Sequence, residues 1–135
     1  MYQIYHRPVH LNLTFQCIKL IDGKKGSVLC IEKLSLDVLA CGRFDDTIKI
    51  IEIESGKCLK TLIGHSYEVD CLVKVNSFIL ASGSEDKLIK IWDYNLGICI
   101  KTIKGHSNKV LCLAKFSSNV IISGSKDRTI RIWNI

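Results

Sequence analysis

Ser82-Gly83-Ser84-Glu85-Asp86-Lys87-Leu88-Ile89-Lys90-Ile91-Trp92-Asp93-Tyr94 returns 41 positions later as Ser123-Gly124-Ser125-Lys126-Asp127-Arg128-Thr129-Ile130-Arg131-Ile132-Trp133-Asn134-Ile135. Widened to residues 64–94 against 105–135, the two stretches agree at 15 of 31 positions without an insertion or deletion. Gly64-His65 falls on Gly105-His106, and Val28 on Val69 and Val110. A fixed period of roughly 20 to 50 residues means that one supersecondary unit has been copied and stacked.

Within a unit, short apolar runs alternate with turn residues. In the unit that begins at Gly64 the runs are Val69–Val75, Phe78–Ser82, Leu88–Tyr94 and Ile98–Ile103. They are separated by Asn76-Ser77, by Gly83-Ser84-Glu85-Asp86-Lys87 and by Asn95-Leu96-Gly97. Leu88–Tyr94 alternates with period two, and no window shows an apolar stripe of helical period. Four strands of about five or six residues joined by short hairpins predict one antiparallel sheet per unit and essentially no helix. The glycines repeat at fixed places in the unit: Gly23, Gly64 and Gly105; Gly42, Gly83 and Gly124; Gly56 and Gly97. That placement fits turns or close backbone approaches made once per unit.

The chain has 135 residues, 47% of them hydrophobic and 24% charged, the balance of a globular protein. No apolar run is long enough to span a bilayer, and Met1 to Thr14 carries no continuous apolar core of the secretory type. The expected setting is therefore intracellular, cytoplasmic or nuclear. Six of the seven cysteines repeat with the unit, as Cys17, Cys58 and Cys99 and as Cys30, Cys71 and Cys112. Flanked by Val, Leu and Ile, they are read as reduced thiols serving as small core hydrophobes. No C-x-x-C pair or histidine cluster has metal-ligand spacing, so no metal or other cofactor is expected. The net charge of +6 raises the question of an acidic partner, but most of the excess is in register. Lys33, Lys74 and Lys115, Lys19, Lys60 and Lys101, and Lys49, Lys90 and Arg131 form three such series. One cation per unit on a strand reads as a solvated sheet face, and nucleic acid is the less favoured partner.

Gly-His, Ser-Gly-Ser-x-Asp and Ile-Trp-Asp/Asn at this spacing resemble the WD-repeat β-propeller family. Two units carry the full set. The first has Lys24 where His is expected, Cys41-Gly42-Arg43-Phe44-Asp45 in the middle and Ile50-Ile51-Glu52 in place of the Trp dipeptide. The resemblance covers residues 17–135, in repeats of approximately 23–63, 64–104 and 105–135, after an N-terminal extension, 1–16. It implies an all-β fold of about three four-stranded blades, in a ring left incomplete or completed by an oligomer. It also implies a structural tetrad, His65, Ser82, Asp86 and Trp92, repeated as His106, Ser123, Asp127 and Trp133. Trp only donates, Ser and neutral His do both, and ionised Asp only accepts, so the four side chains can form one directed chain. A Ser–His–Asp catalytic reading of the same residues is rejected, since the set recurs with a Trp attached and no oxyanion hole is evident. The first unit keeps only Asp45 from the tetrad; an apolar substitute and the least rigid of the three sheets are expected there.

Cys17–Ile21 aligns with Cys58–Leu62 and Cys99–Ile103, so the repeat region opens on a fourth strand and ends after a third. In the family that phase lets the N-terminal strand complete the last sheet. Three blades are too few for a propeller of four to eight. A piece of a longer propeller is the favoured account, ahead of a homo-oligomer that completes the ring and an open stack. Val9–Phe15 alternates like one extra strand.

The resemblance implies a non-catalytic protein–protein interaction scaffold that presents loops at one rim to proteins or peptides. The candidate contacts are Ser66, Tyr67 and Glu68; Ser107, Asn108 and Lys109; and Phe44, Glu85 and Lys126. The run Gly56–Leu62 is most similar to substrate receptors of ubiquitin ligases and to chromatin scaffolds. The alternative is an RNA- or acidic-surface-binding module that uses the basic charge.

Overall fold

Residues 15–23 and 26–135 are described by a computed structural model. They contain eleven strands and no helix. β1 (Val28–Lys33), β2 (Val38–Arg43), β3 (Ile48–Glu52) and β4 (Cys58–Leu62) form the first sheet. β5 (Val69–Lys74), β6 (Ile79–Ser84), β7 (Ile89–Asp93) and β8 (Ile98–Ile103) form the second. β9 (Val110–Ser117), β10 (Val120–Ser125) and β11 (Ile130–Asn134) form the third. Every pairing is antiparallel and joins sequence neighbours, so each sheet is a simple meander.

The period holds at the level of hydrogen-bond register. β6 sets Ser82 against Lys90 and Leu80 against Trp92; β10 sets Ser123 against Arg131 and Ile121 against Trp133. Alternation along β7 sends its side chains to opposite faces, and both faces are covered. Trp92 enters a core shared with Ile48, Ile50 and Leu62 of the first sheet. Ile89 and Ile91 enter a second core with Val110 and Ile121 of the third sheet. Coverage on both sides explains why the strands read as imperfect alternation in sequence.

Gly83 shows how closely the sheets approach. A Cβ built there would lie 2.6 Å from Cys71 Sγ and 2.6 Å from Val110 Cγ1 of the next sheet. Gly97 has a different role: its φ of 76° closes the β7–β8 turn in the left-handed region, as Gly56 does at 70° between β3 and β4.

Two sequence expectations are corrected here. Cys17–Ile21 forms no strand and pairs with no sheet. The third sheet therefore holds three strands among the described residues, and eleven strands replace the twelve expected. The physical reason is distance along the stack, since β11 lies at one end and Cys17–Ile21 lies against the first sheet at the other. Cys17, Cys58 and Cys99 are exposed, not core residues. Their slot falls on the outermost strand of each sheet, where Cys58 Sγ donates to Lys60 O and Cys99 Sγ to Lys101 O. Only Cys41 and Cys71 are buried, and Cys112, equivalent to Cys71, is exposed because no sheet among the described residues covers the third. All seven thiols are free. The Val9–Phe15 alternation falls outside the described residues except for Phe15, which is exposed and in no strand.

Gly83→Ala is expected to cost about 1–3 kcal/mol, because the new methyl must displace Val110 or Cys71 in a filled core. Chemical denaturation of the variant measures this, and an unchanged midpoint would contradict the packing described.

Candidate functional site

In a meander the loops alternate between two ends of the stack. The β2–β3 and β6–β7 turns share one end with the β4–β5 and β8–β9 connections; the β1–β2 and β3–β4 loops lie at the other. The first of these ends carries the rim residues, and the tetrads lie directly beneath it.

The structure brings Trp92, Ser82, His65 and Asp86 into one chain. Trp92 Nε1 donates to Ser82 Oγ at 2.8 Å, and Ser82 Oγ lies 2.7 Å from His65 Nε2. His65 Nδ1 lies 2.6 Å from Asp86 Oδ2. Since Trp can only donate, the polarity follows: the Ser82 hydroxyl donates to Nε2, and Nδ1–H donates to the carboxylate. The third sheet repeats this through Trp133, Ser123, His106 and Asp127, at 2.7 Å for each of the three links. The carboxylates then anchor the rim backbone. Asp86 accepts from Ser66 N at 3.2 Å and Leu88 N at 2.9 Å, and Asp127 from Ser107 N at 3.1 Å and Thr129 N at 2.9 Å.

Burial acts to raise the pKa of Asp86, but the hydrogen bond from His65, with the two backbone donors, outweighs it and holds the carboxyl below its usual range. The Thr129 hydroxyl contributes most to holding Asp127 low; burial opposes it, and His106 adds to it. A Ser–His–Asp series in this setting has no free nucleophile. Ser82 is fully buried and already accepts from Trp92.

The first sheet departs from the expected apolar substitute. Cys41 and Ile51, both buried, stand where Ser82 and Trp92 do, so the replacement is apolar at that end. At the other end lies a buried cation that sequence reasoning missed. Arg43, equivalent to Ser84, is fully buried, and its Nε lies 3.3 Å from Asp45 Oδ2. Its Nη2 donates to Gly26 O at 3.2 Å. Ser84 Oγ donates to Tyr67 O and Ser125 Oγ to Asn108 O, the 41-residue equivalents of that carbonyl. Arg43 thus serves the same backbone acceptor as the serines and adds an ion pair to the remaining Asp. The available signal was the Ser-to-Arg change beside a retained Asp.

At the rim, Phe44 N bonds Ser27 O, Glu85 N bonds Glu68 O and Lys126 N bonds Lys109 O, at 3.0–3.1 Å. These bonds set the β2–β3 type of turn beside the preceding connection in every sheet. They bring Glu68 to Glu85 on the second sheet and Lys109 to Lys126 on the third. Lys109 Nζ then reaches Glu85 Oε2 at 3.6 Å across the two sheets. Asp70, not singled out from sequence, belongs to the same cluster. Burial raises its pKa, Lys109 opposes this and Glu68 reinforces it, and its Oδ2 has no hydrogen-bond partner. Phe44 and Tyr67 are exposed aromatics at this end, and Ser66, Ser107, Asn108 and Lys126 are exposed polar residues.

The main clefts lie at the opposite end. One of about 440 Å³ between the first and second sheets is lined by Leu34, Val38, Ile50 and Tyr94. Another, of about 290 Å³, is lined by their equivalents Val75, Ile79, Ile91 and Ile135. Both are features of how one unit packs on the next. Among the described residues no group of three or more His, Cys, Asp or Glu could hold a metal, and no helix is long and apolar enough to cross a membrane. The in-register Lys and Arg side chains are nowhere fully buried.

Stacked four-stranded meanders with a Trp–Ser–His–Asp chain define the blade class of β-propeller. The family model for the WD domain, G-beta repeat, matches residues 56–93 and 97–134, and the chain belongs to the WD-repeat family. Many solved structures match as well. Among them is U3-55K, a WD-repeat protein, with 30% identity and a TM-score of 0.69 over 73% of this chain. The chain spans 31% of that protein's length. No curated protein sequence matches.

Trp92→Phe removes a buried donor and is expected to cost about 1–2 kcal/mol, and His65→Ala, which strands Ser82 and Asp86, more than that. Unchanged melting curves would refute the network's structural role. The pH dependence has a definite sign. Asp86 is held low in the folded state, so its contribution is complete above the ordinary value of 3.8 and is lost as the pH falls through that value and below. The stability gap between wild type and Asp86→Asn should therefore narrow between pH 6 and pH 3 in urea titrations. A constant gap would contradict the assignment.

Proposed function

We propose that this chain is a non-catalytic protein-interaction scaffold whose contact surface is the rim built on Phe44, Tyr67, Glu68, Glu85, Asn108, Lys109 and Lys126. The WD-repeat match and the U3-55K likeness support the scaffold class. The single observation that carries the rim assignment is the pairing of each turn with the preceding connection above a buried network. It holds side chains of different chemistry at equivalent positions: an aromatic on the first sheet, acids on the second and bases on the third. A partner matching that order would be an extended or folded protein segment with an apolar residue followed by basic and acidic ones. Ser66 and Ser107 flank this surface, with their backbone amides engaged by the tetrad carboxylates. A receptor role in a ubiquitin ligase or chromatin assembly rests on the Gly56–Leu62 run alone. An intracellular setting is part of the same proposal.

The test is site-specific photo-crosslinking. A photoreactive phenylalanine analogue at Tyr67 should capture a discrete protein, and the same group at Leu96, an exposed residue of the opposite end, should not. Adding Lys109→Glu should reduce the Tyr67 product several-fold without moving the melting temperature. Equal capture from both ends would refute the rim assignment. The nucleic-acid reading predicts instead that a labelled single-stranded RNA binds with a steep loss of affinity as salt rises. Flat or absent binding counts against it.

A further inference from the structure

Both clefts at the end opposite the rim follow from how one sheet packs on the next. The 41-residue period separates what is architectural in them from what is particular to each. The second cleft is lined by Val75, Asn76, Ile79, Ile91 and Ile135, and the first has Leu34, Ser35, Val38, Ile50 and Tyr94 at the equivalent places. Ser35 and Val38 are smaller than Asn76 and Ile79, and the first cleft is the larger, about 440 Å³ against about 290 Å³. It lies wholly between the first and second sheets, with every lining residue inside 34–95. Its volume falls within the roughly 300–1,000 Å³ of small-molecule sites.

The lining of the first cleft divides by chemistry. Leu34, Ile50 and Tyr94 are buried and form an apolar floor, with Val38 and Leu59 beside them. Its charged residues are Lys60 and Lys74, and no acid lines it among the described residues. The second cleft has Lys101 in the place of Lys60, but Lys115, equivalent to Lys74, does not line it. Both cations of the first cleft are held in position. Lys74 N donates to Glu32 Oε1 at 2.9 Å across the two sheets, and Lys74 Nζ donates to Leu34 O, which leaves its ammonium two further protons. The Lys60 stem lies over the β7–β8 turn, where a Cβ on Gly97 would meet Lys60 Cδ at 3.5 Å. Such a stem covers apolar surface while the ammonium stays in water. Two carboxylates on flanking elements are already engaged: Glu32 with Lys74 N, and Asp93 with the amides of Asn95 and Leu96 at 3.0 and 2.8 Å.

We propose that this cleft binds a small amphipathic anion, a carboxylate carried on an apolar chain or ring. The apolar body lies on Leu34, Val38, Ile50 and Tyr94, where leaving water is favourable. The carboxylate meets the ammonium groups of Lys60 and Lys74, which act as point charges and set no strict headgroup geometry. Each half of the ligand is needed. A cation of the same shape is repelled by both lysines, and a small hydrophilic anion leaves the apolar floor in contact with water. The site is at the end opposite the rim, so a protein held at the rim does not compete for it.

The test is a titration of the 135-residue chain with decanoate, below its micellar concentration, followed through the amide resonances of isotope-labelled protein. Saturable shifts confined to the neighbourhood of Ser35, Val38, Lys60 and Tyr94 are expected, with none from decylamine or acetate at the same concentration. Lys60→Glu, at an exposed position, should weaken binding about tenfold or more, since it turns an attraction into a repulsion. Lys101→Glu, the same change at the second cleft, should leave it unaltered. Ser35→Asn with Val38→Ile gives the first cleft residues that the fold already accepts in the second, and should weaken decanoate several-fold with the strand signal in circular dichroism retained. Absent or unsaturable shifts, shifts spread over both clefts, equal binding of decylamine, or indifference to Lys60→Glu would each overturn the proposal.

Discussion

Every sheet of this protein depends on being covered by the next. A four-stranded meander of five- or six-residue strands has little core of its own, and its two faces are both apolar. Ile48 and Ile50 of one sheet meet Val69, Leu72 and Trp92 of the following one, and the next interface repeats the arrangement one period on. Stability in such a stack resides in nearest-neighbour interfaces, with each unit marginal alone. This is why glycine is needed at position 83: the side chains of Cys71 and Val110 already occupy the space that a methyl group would take. It is also why the ends of the stack differ from its middle in exposure while hardly differing in sequence.

The polar network solves a second problem, that of fixing the turns once the sheets are packed. Each tetrad runs from a tryptophan on the third strand, through a serine on the second, to a histidine before the first and an aspartate in the turn. The aspartate spends its remaining capacity on backbone amides of the rim. Buried and fully satisfied, such a chain allows one arrangement of the loops and penalises others. In the first sheet Arg43 reaches the equivalent rim carbonyl directly and pairs with Asp45. An arginine in the first sheet and a serine in the other two therefore hold the same backbone carbonyl, which indicates that the constraint lies in the position of the rim.

Much of this was legible in the sequence because the period is free of insertions. The alignment of Ser82-Gly83-Ser84 with Ser123-Gly124-Ser125 carried strand order, turn placement and the family resemblance together. Equivalence, however, says nothing about which side of the sheet a slot faces. Cys58 and Cys99 share a slot with apolar neighbours, yet that slot is on the outermost strand, and the thiols are exposed. Cys112 matches Cys71 in sequence and differs in burial because coverage is a property of the neighbouring sheet. Cys17–Ile21 has the composition of a fourth strand, but strand pairing needs a partner edge within reach. Arg43 was hidden for another reason. An arginine in a serine's place reads as surface variation until the geometry shows the shared carbonyl.

The division of labour between network and rim has a consequence for recognition. Because the tetrads and the Arg43–Asp45 pair fix the loop backbones, Tyr67, Glu68, Glu85, Asn108, Lys109 and Lys126 are free to differ without loss of the fold. Adaptation to a partner can then occur by side-chain replacement alone, with loop lengths held constant. The charges of this surface also run against the overall balance of the chain. Although the net charge is +6, the second sheet places Glu68 and Glu85 at the rim, with Asp70 half-buried in β5, and the third answers with Lys109 and Lys126. A field of mixed sign does little to gather polyanions, but it discriminates well among protein surfaces. Each misplaced like charge at a contact carries a penalty, and each correct one mainly guides the encounter. On the proposed function, a rim of this pattern would select a patterned protein segment over acidic surfaces in general.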